Sequence, residues 1–220
     1  MQYERNGNQP KRVRLDERTD DQGPEESSGQ EKESVMQRTI KNVVLLGLAA
    51  LMSLTVLFAL AGCGKSDEEV IRTGLTSELD KFKDPTSDSW ADLSNNGEFA
   101  SMGLSDKDVV SAWVEGFDYT IDSVTVTGST AEVKVSITCK QLNPVISTMT
   151  DKVQNDESFV GLTQEEAIRK AGEVFLADLR AAQTATTQIT IPCVKSGDTW
   201  TEGAGAISAY QTALLGTAAA

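Results

Sequence analysis

The residues able to do chemistry in this sequence are few, and carboxylates dominate them. Asp106 with Asp108, Asp118 with Asp122, and Asp156 with Glu157 are close-set acidic pairs. Two carboxyl groups at a suitable separation can serve as acid and base on a glycosidic bond, and clusters of them can hold a hard cation such as calcium. None of these pairs has the ligand spacing of a calcium loop, and each sits beside a turn or helix start, where a solvated carboxylate is ordinary. Glu165 and Glu166 fall in the first turn of a predicted helix, where offsetting the helix dipole accounts for them. The chain has no histidine. That removes the commonest general base near neutral pH, the Ser-His-Asp arrangement and any zinc site needing imidazole. With no cofactor or metal motif either, the expectation is a noncatalytic protein. Trp113, Tyr119 and Trp200 are candidates for lining a pocket, with packing in the core the preferred reading.

Charge narrows the partners. The 220 residues carry 20 Lys and Arg against 33 Asp and Glu, a net charge of -13. From Cys63 onward, 24 acidic residues face 12 basic ones. Nucleic acid binding runs on cations neutralising phosphates, so no nucleic acid partner is expected. Nor is there a basic patch to draw the chain to anionic lipid. Solubility is the plain consequence of such acidity.

Residues 43–62, VVLLGLAALMSLTVLFALAG, form an uncharged apolar run long enough to span a bilayer as a helix, with Arg38 and Lys41 as its basic flank. The run ends Leu60-Ala61-Gly62-Cys63, followed by Gly64-Lys65-Ser66. This resembles the lipobox of bacterial lipoproteins. The resemblance implies that Leu60, Ala61 and Gly62 are read by the lipoprotein-processing enzymes, that residues 36–62 are removed as a signal peptide, and that Cys63 carries a diacylglyceryl group. Two acyl chains anchor stably where one does not. The protein would then face outward from the cell membrane. An uncleaved membrane helix ending in a chance Cys is the alternative.

Residues 1–35 are polar and too poor in apolar side chains to fold. Met36-Gln-Arg-Thr-Ile-Lys followed by the apolar run is a leader of ordinary proportions, and Lys32-Glu33 can be encoded AAG GAG, a ribosome-binding sequence. Translation is therefore expected to start at Met36.

Residues 63–66 read as a lipidated tether and 67–220 as one exported domain. Ser66-Asp67-Glu68-Glu69 suits a capping box, opening a helix with Ile71, Leu75, Leu79 and Phe82 on one face, stopped by Pro85. Residues 86–104 are polar, with a helical turn around Trp90 and Leu93. Ser105 is expected to cap a second helix carrying Val109, Val110, Trp113, Val114 and Phe117. Ala131, Val133, Val135, Ile137 and Cys139 then alternate with polar residues, a strand with one wet face. Gly128-Ser129 suits a two-residue hairpin turn. That register places Val126 opposite Ala131 and Val124 opposite Val133. Tyr119 and Ile121 have the wrong phase unless a bulge near Asp122 and Ser123 restores it. A helix is expected from Pro144 to about Lys152. Thr163-Gln164-Glu165-Glu166 is a second capping box, opening a helix with Ile168, Ala171, Phe175 and Leu179. Thr187, Ile189, Ile191 and Cys193 alternate in a third strand, Ser196-Gly197-Asp198-Thr199 turns, and Trp200 begins a short fourth. A last helix carries Ile207, Tyr210 and Leu214.

The fold class is therefore α+β, with helices packed on one face of a curved antiparallel sheet of about four strands. It resembles a cystatin-like or nuclear-transport-factor-like cone. Residues 116–126 and Ile137-Thr138-Cys139-Lys140 are similar to a segment of uncharacterised exported lipoproteins, a family that implies no known activity.

Cys139 and Cys193 share the strand parity of their apolar neighbours. Outside the cytoplasm two such thiols can oxidise, and with Cys63 lipidated the remaining count is even. A Cys139–Cys193 disulfide is the expectation. Two buried free thiols acting as small apolar groups are the alternative. The function expected is a membrane-tethered extracytoplasmic binding or interaction module for an unidentified protein or small-molecule ligand. A carboxylate-based hydrolase of the cell envelope, or a small substrate-capturing lipoprotein of a transporter, are the other readings.

Overall fold

The computed structural model describes residues 57–59, 65–91, 97 and 99–216. Its elements in chain order are β1 (Leu57–Ala59), α1 (Asp67–Phe82), α2 (Asp106–Val114), β2 (Asp118–Thr127), β3 (Thr130–Lys140), α3 (Leu142–Asn155), α4 (Gln164–Ala181), β4 (Thr184–Ser196), β5 (Thr199–Glu202) and α5 (Ala206–Leu215). Short 3-10 turns lie at Asp88–Trp90, Ala100–Met102 and Glu157–Phe159. The sheet is antiparallel throughout, in the order β1-β5-β4-β3-β2. This is the α+β fold expected, an open sheet with helices on one face. The unexpected part is β1, a three-residue edge strand drawn from within the predicted leader. An edge strand leaves a row of backbone N–H and C=O groups unpaired, and β5 satisfies part of that row by pairing Phe58 with Trp200.

Alternation decides the faces. Ala131, Val133, Val135, Ile137 and Cys139 are buried, while Glu132 and Lys134 between them are exposed. On β4 the buried residues are Ile189, Ile191 and Cys193. Gly128, at φ +61°, makes the two-residue turn between Thr127 and Thr130; a left-handed first position is what that hairpin needs. The bulge falls where the phase of the apolar residues demands it. Ile121 pairs with Val135 and Val124 with Val133, and the register shifts between Ile121 and Ser123. Tyr119, Ile121, Val124 and Val126 thereby share one face.

Helices α1 and α5 lie against the sheet, α2 bridges β3 and α4, and α3 packs on α4. Val70, Ile71, Leu75, Leu79 and Phe82 form the buried stripe of α1. Phe82 meets Trp90 edge-on at 5.2 Å and stacks on Phe117 at 5.9 Å, and Trp90 lies 5.6 Å from Trp113. Each such buried side chain contributes about 1.5–3 kcal/mol through burial. The capping box at Thr163 is complete: its hydroxyl accepts from the Glu166 N–H, and the Glu166 carboxylate accepts from the Thr163 N–H.

Two local expectations change. Ser105 stands at the start of α2 without a side-chain cap. Its neighbour Asp106 is buried and accepts from the backbone N–H groups of Gly97 and Phe99, so that carboxylate pins the preceding loop. In α5, Ile207 is 44% exposed, and the inner residues are Ala206, Ala213 and Leu214. The helix is phased by Tyr210, which reaches Glu202, and one step of about 100° turns Ile207 outward.

Candidate functional site

Three chain segments meet at one end of the sheet. The Ser66 hydroxyl accepts from the Glu69 N–H at 3.2 Å. The reciprocal half of the expected capping box is not formed; Glu69 lies 3.8 Å from Lys65 instead. Asp67, the first residue of α1, reaches across to the second hairpin. Its carboxylate accepts from Lys195 Nζ at 2.7 Å and from Trp200 Nε1 at 3.0 Å. Those two donors, with Lys195 first, hold the Asp67 carboxyl below its usual range. The Lys195 backbone N–H donates to the Ser129 carbonyl at 2.8 Å, tying the two hairpin turns together. On the outer side, Ala59 pairs with Thr199, next to the turn, and Leu57 with Thr201. The lipobox Leu60-Ala61-Gly62-Cys63, the rest of the leader and Met36 lie outside the described residues.

A cleft opens at the other end of the sheet. It has a volume of about 430 Å³ and is lined by Gln141, Pro144, Val145, Thr148, Asp178 and Ala185, among others. The end of β3, the start of α3, the last turn of α4 and the start of β4 supply these residues. Asp178 forms an ion pair with Lys152 of α3, and its other oxygen is buried without a donor from the described residues. Gln141 Nε2 donates to Thr187 Oγ1 at 3.0 Å. Apolar walls with a few fixed polar groups are the general character of a small-molecule site.

The acidic pairs do not converge. Asp106 holds its loop, Asp118 pairs with Lys83 at 3.0 Å, and Asp156 accepts from the Ser158 N–H. Asp122, the bulge residue, accepts from Ser136 and Gln188 on the wet face of the sheet. Among the described residues, no group of three His, Cys, Asp or Glu side chains is placed to hold a metal ion. Trp113 and Trp200 are core residues. Trp113 Nε1 donates to the Lys140 carbonyl, while Tyr119 is half-buried and its hydroxyl donates to the Thr76 carbonyl or the Asp80 carboxylate.

A buried cation and a half-buried carboxylate escaped the sequence reading. Lys140 has the parity of the wet face, yet its side chain is buried. Nζ donates to the Ala112 carbonyl at 3.0 Å, to Glu115 at 2.8 Å and to the Arg180 carbonyl at 3.3 Å. It joins the C-terminal ends of α2 and α4, where a cation is favoured. Glu202 is the other. Its Oε1 accepts from the Tyr210 hydroxyl at 2.6 Å, its Oε2 is buried without a donor from the described residues, and Cys193 is its partner in the β4–β5 register. Burial, helped by the charge of Glu78 and opposed by the Tyr210 hydrogen bond, pushes the Glu202 carboxyl up to about 7.

The expected disulfide is absent: Cys139 and Cys193 are both buried free thiols. β3 and β4 are antiparallel neighbours, and both thiols do face the core. Register separates them. Cys139 pairs with Ala185 and Cys193 with Ala131. Cys193 lies eight residues along β4 from Ala185, roughly 26 Å of strand, where a disulfide requires Cα atoms within about 7 Å. Burial raises the two thiols to about 11 and about 12.

No protein-family model matches the chain, and no curated protein is significantly similar to it. Among solved structures it is similar to one described as a "putative lipoprotein (ycdA)" from Bacillus subtilis subsp. subtilis str. 168, at 17% identity and a TM-score of 0.35, over 64% of this chain and 46% of that one. The chain thus spans under half the length of that neighbour, and the likeness is too partial to carry fold or function across.

Proposed function

We propose that this chain is a lipoprotein of the cell envelope, anchored through a diacylglyceryl group on Cys63, whose folded part is a noncatalytic binding module. The seam between lipobox and domain carries the reading. Four residues after Cys63, Asp67 is already fixed by Lys195 and Trp200. The first helix of the domain is therefore fixed to the sheet within four residues of the predicted lipidation site, although the edge strand β1 reaches back into the predicted leader. The far-end cleft is the place to seek a ligand. A carboxylate hydrolase would need two carboxyl groups open to one volume, whereas Asp106, Asp118, Asp122 and Asp156 are engaged separately in a loop, an ion pair, the sheet surface and a turn.

Mass spectrometry of the protein from native membranes tests the anchor. The expected species begins at Cys63 and carries the diacylglyceryl mass, and Cys63→Ser loses both cleavage and lipid. Recovery of an unmodified, uncleaved chain from those membranes refutes the assignment.

A further inference from the structure

We infer that the two hairpin turns, Thr127–Thr130 and Ser196–Thr199, form the face of the domain that rests on the bilayer surface, and that the cleft-bearing end points away from it. This rests on the lipoprotein reading for the membrane, while the short tether from residue 63 to Asp67 stands on chain length alone. One contact of the mature chain sets the reach of the anchor, since the predicted cleavage removes β1 with the leader. Asp67 is bonded to Lys195 and Trp200 on the second hairpin. Cys63 is four residues before it, and four extended residues reach at most about 14 Å. The lipid is therefore tethered within that reach of the second hairpin, and the first turn is tied to the second through the Lys195 N–H and the Ser129 carbonyl.

The opposite end cannot share the surface. β3 runs from Thr130 at the turn to Lys140, and β4 from Thr184 back to Ser196. Eleven residues of strand span on the order of 35 Å. Gln141 and Ala185 of the cleft sit at that far end. The chemistry of the near end suits contact with headgroups. Thr127, Gly128, Ser129, Ser196, Gly197 and Asp198 are exposed, small or polar, and present no bulky apolar side chain. Lys195, the cation nearest the turn, is neutralised by Asp67, so the face adds no basic patch and adhesion depends on the lipid.

Two measurements test it. The first uses the full chain in detergent, unprocessed, with spin labels on Cys63 and on Ser129→Cys or Asn143→Cys. Cys139 and Cys193 are too buried to label. The expected distance from 63 to 129 is on the order of 20 Å or less, and from 63 to 143 about 30 Å or more. Equal or inverted distances overturn the placement. The second uses the lipidated protein in phosphatidylcholine vesicles containing a headgroup spin label, with a fluorophore at Ser129→Cys or Asn143→Cys. Quenching at 129 at least threefold stronger than at 143 is expected. Equal quenching in a protein shown by mass to be lipidated overturns the facing. A chain that passes the distance test but carries no lipid keeps the placement and sinks the membrane assignment.

Discussion

At the scale of single residues, burial governs the groups that looked most reactive. The thiolate is the nucleophile of cysteine chemistry, and burial holds Cys139 and Cys193 near 11 and 12, with Cys139 also donating to the Ala213 carbonyl. In the folded, lipidated protein no thiol should react rapidly with Ellman's reagent. Two should react once it is denatured without reductant, and reductant should leave the melting temperature unchanged. No reactive thiol after denaturation without reductant would restore the disulfide. Glu202 gives a pH effect with a definite sign. Its folded pKa of about 7 lies above its ordinary value of 4.5, so the folded state binds more protons between those values. Stability therefore falls as pH rises through that window and levels off above it. Glu202→Gln should remove this contribution, on the order of 2–3 kcal/mol, and melt higher than the parent at pH 8 while differing little at pH 4. Thermal melts of both proteins across pH 4–8 check it.

At the scale of elements, close approach and register set what the chain tolerates. Gly172 lies inside α4, where alanine is worth about 1 kcal/mol more by helix propensity. A Cβ there would stand 2.3 Å from the Met102 carbonyl oxygen. Gly172→Ala should therefore destabilise by several kcal/mol, read as a lower urea midpoint, because backbone rather than a flexible side chain must yield. The β2 bulge has the opposite character. Asp122 is the extra residue between the Ile121–Val135 and Ser123–Lys134 pairs. Deleting it leaves the inward phase of Ile121 and Val124 intact, at the loss of two hydrogen bonds from Ser136 and Gln188. Deleting Thr125 shifts the phase of one flank and turns apolar residues outward. The Asp122 deletion should keep a cooperative melt with a small drop in temperature, and the Thr125 deletion should lose most of the stability. Equal losses would show that the bulge itself is required.

At the scale of the whole molecule, much was legible in the sequence because local chemistry imposes it. Alternation of apolar and polar residues fixed the faces of β3 and β4. The parity break between Ile121 and Val124 admits one economical repair, and the register contains it. Thr163 and Glu166 cap a helix because their spacing lets each reach the other's backbone. The α+β class followed from the succession of these elements, and the lipobox reading belongs to a stretch whose order alone carries it. Tertiary structure decided matters that depend on which strand positions lie opposite each other and on what comes to rest above them. Parity placed Cys139 and Cys193 on one face but said nothing of their position along the strands, and register set them at opposite ends. Lys140 continues a solvent-facing alternation, yet the ends of α2 and α4 close over it. In the sequence Asp67 is only one member of the capping-box stretch that opens α1, and only the folded chain brings Lys195 and Trp200 to it from more than a hundred residues away. Local spacing is written in neighbouring residues; the partners of a buried polar group are chosen by long-range packing, which no short stretch of sequence contains.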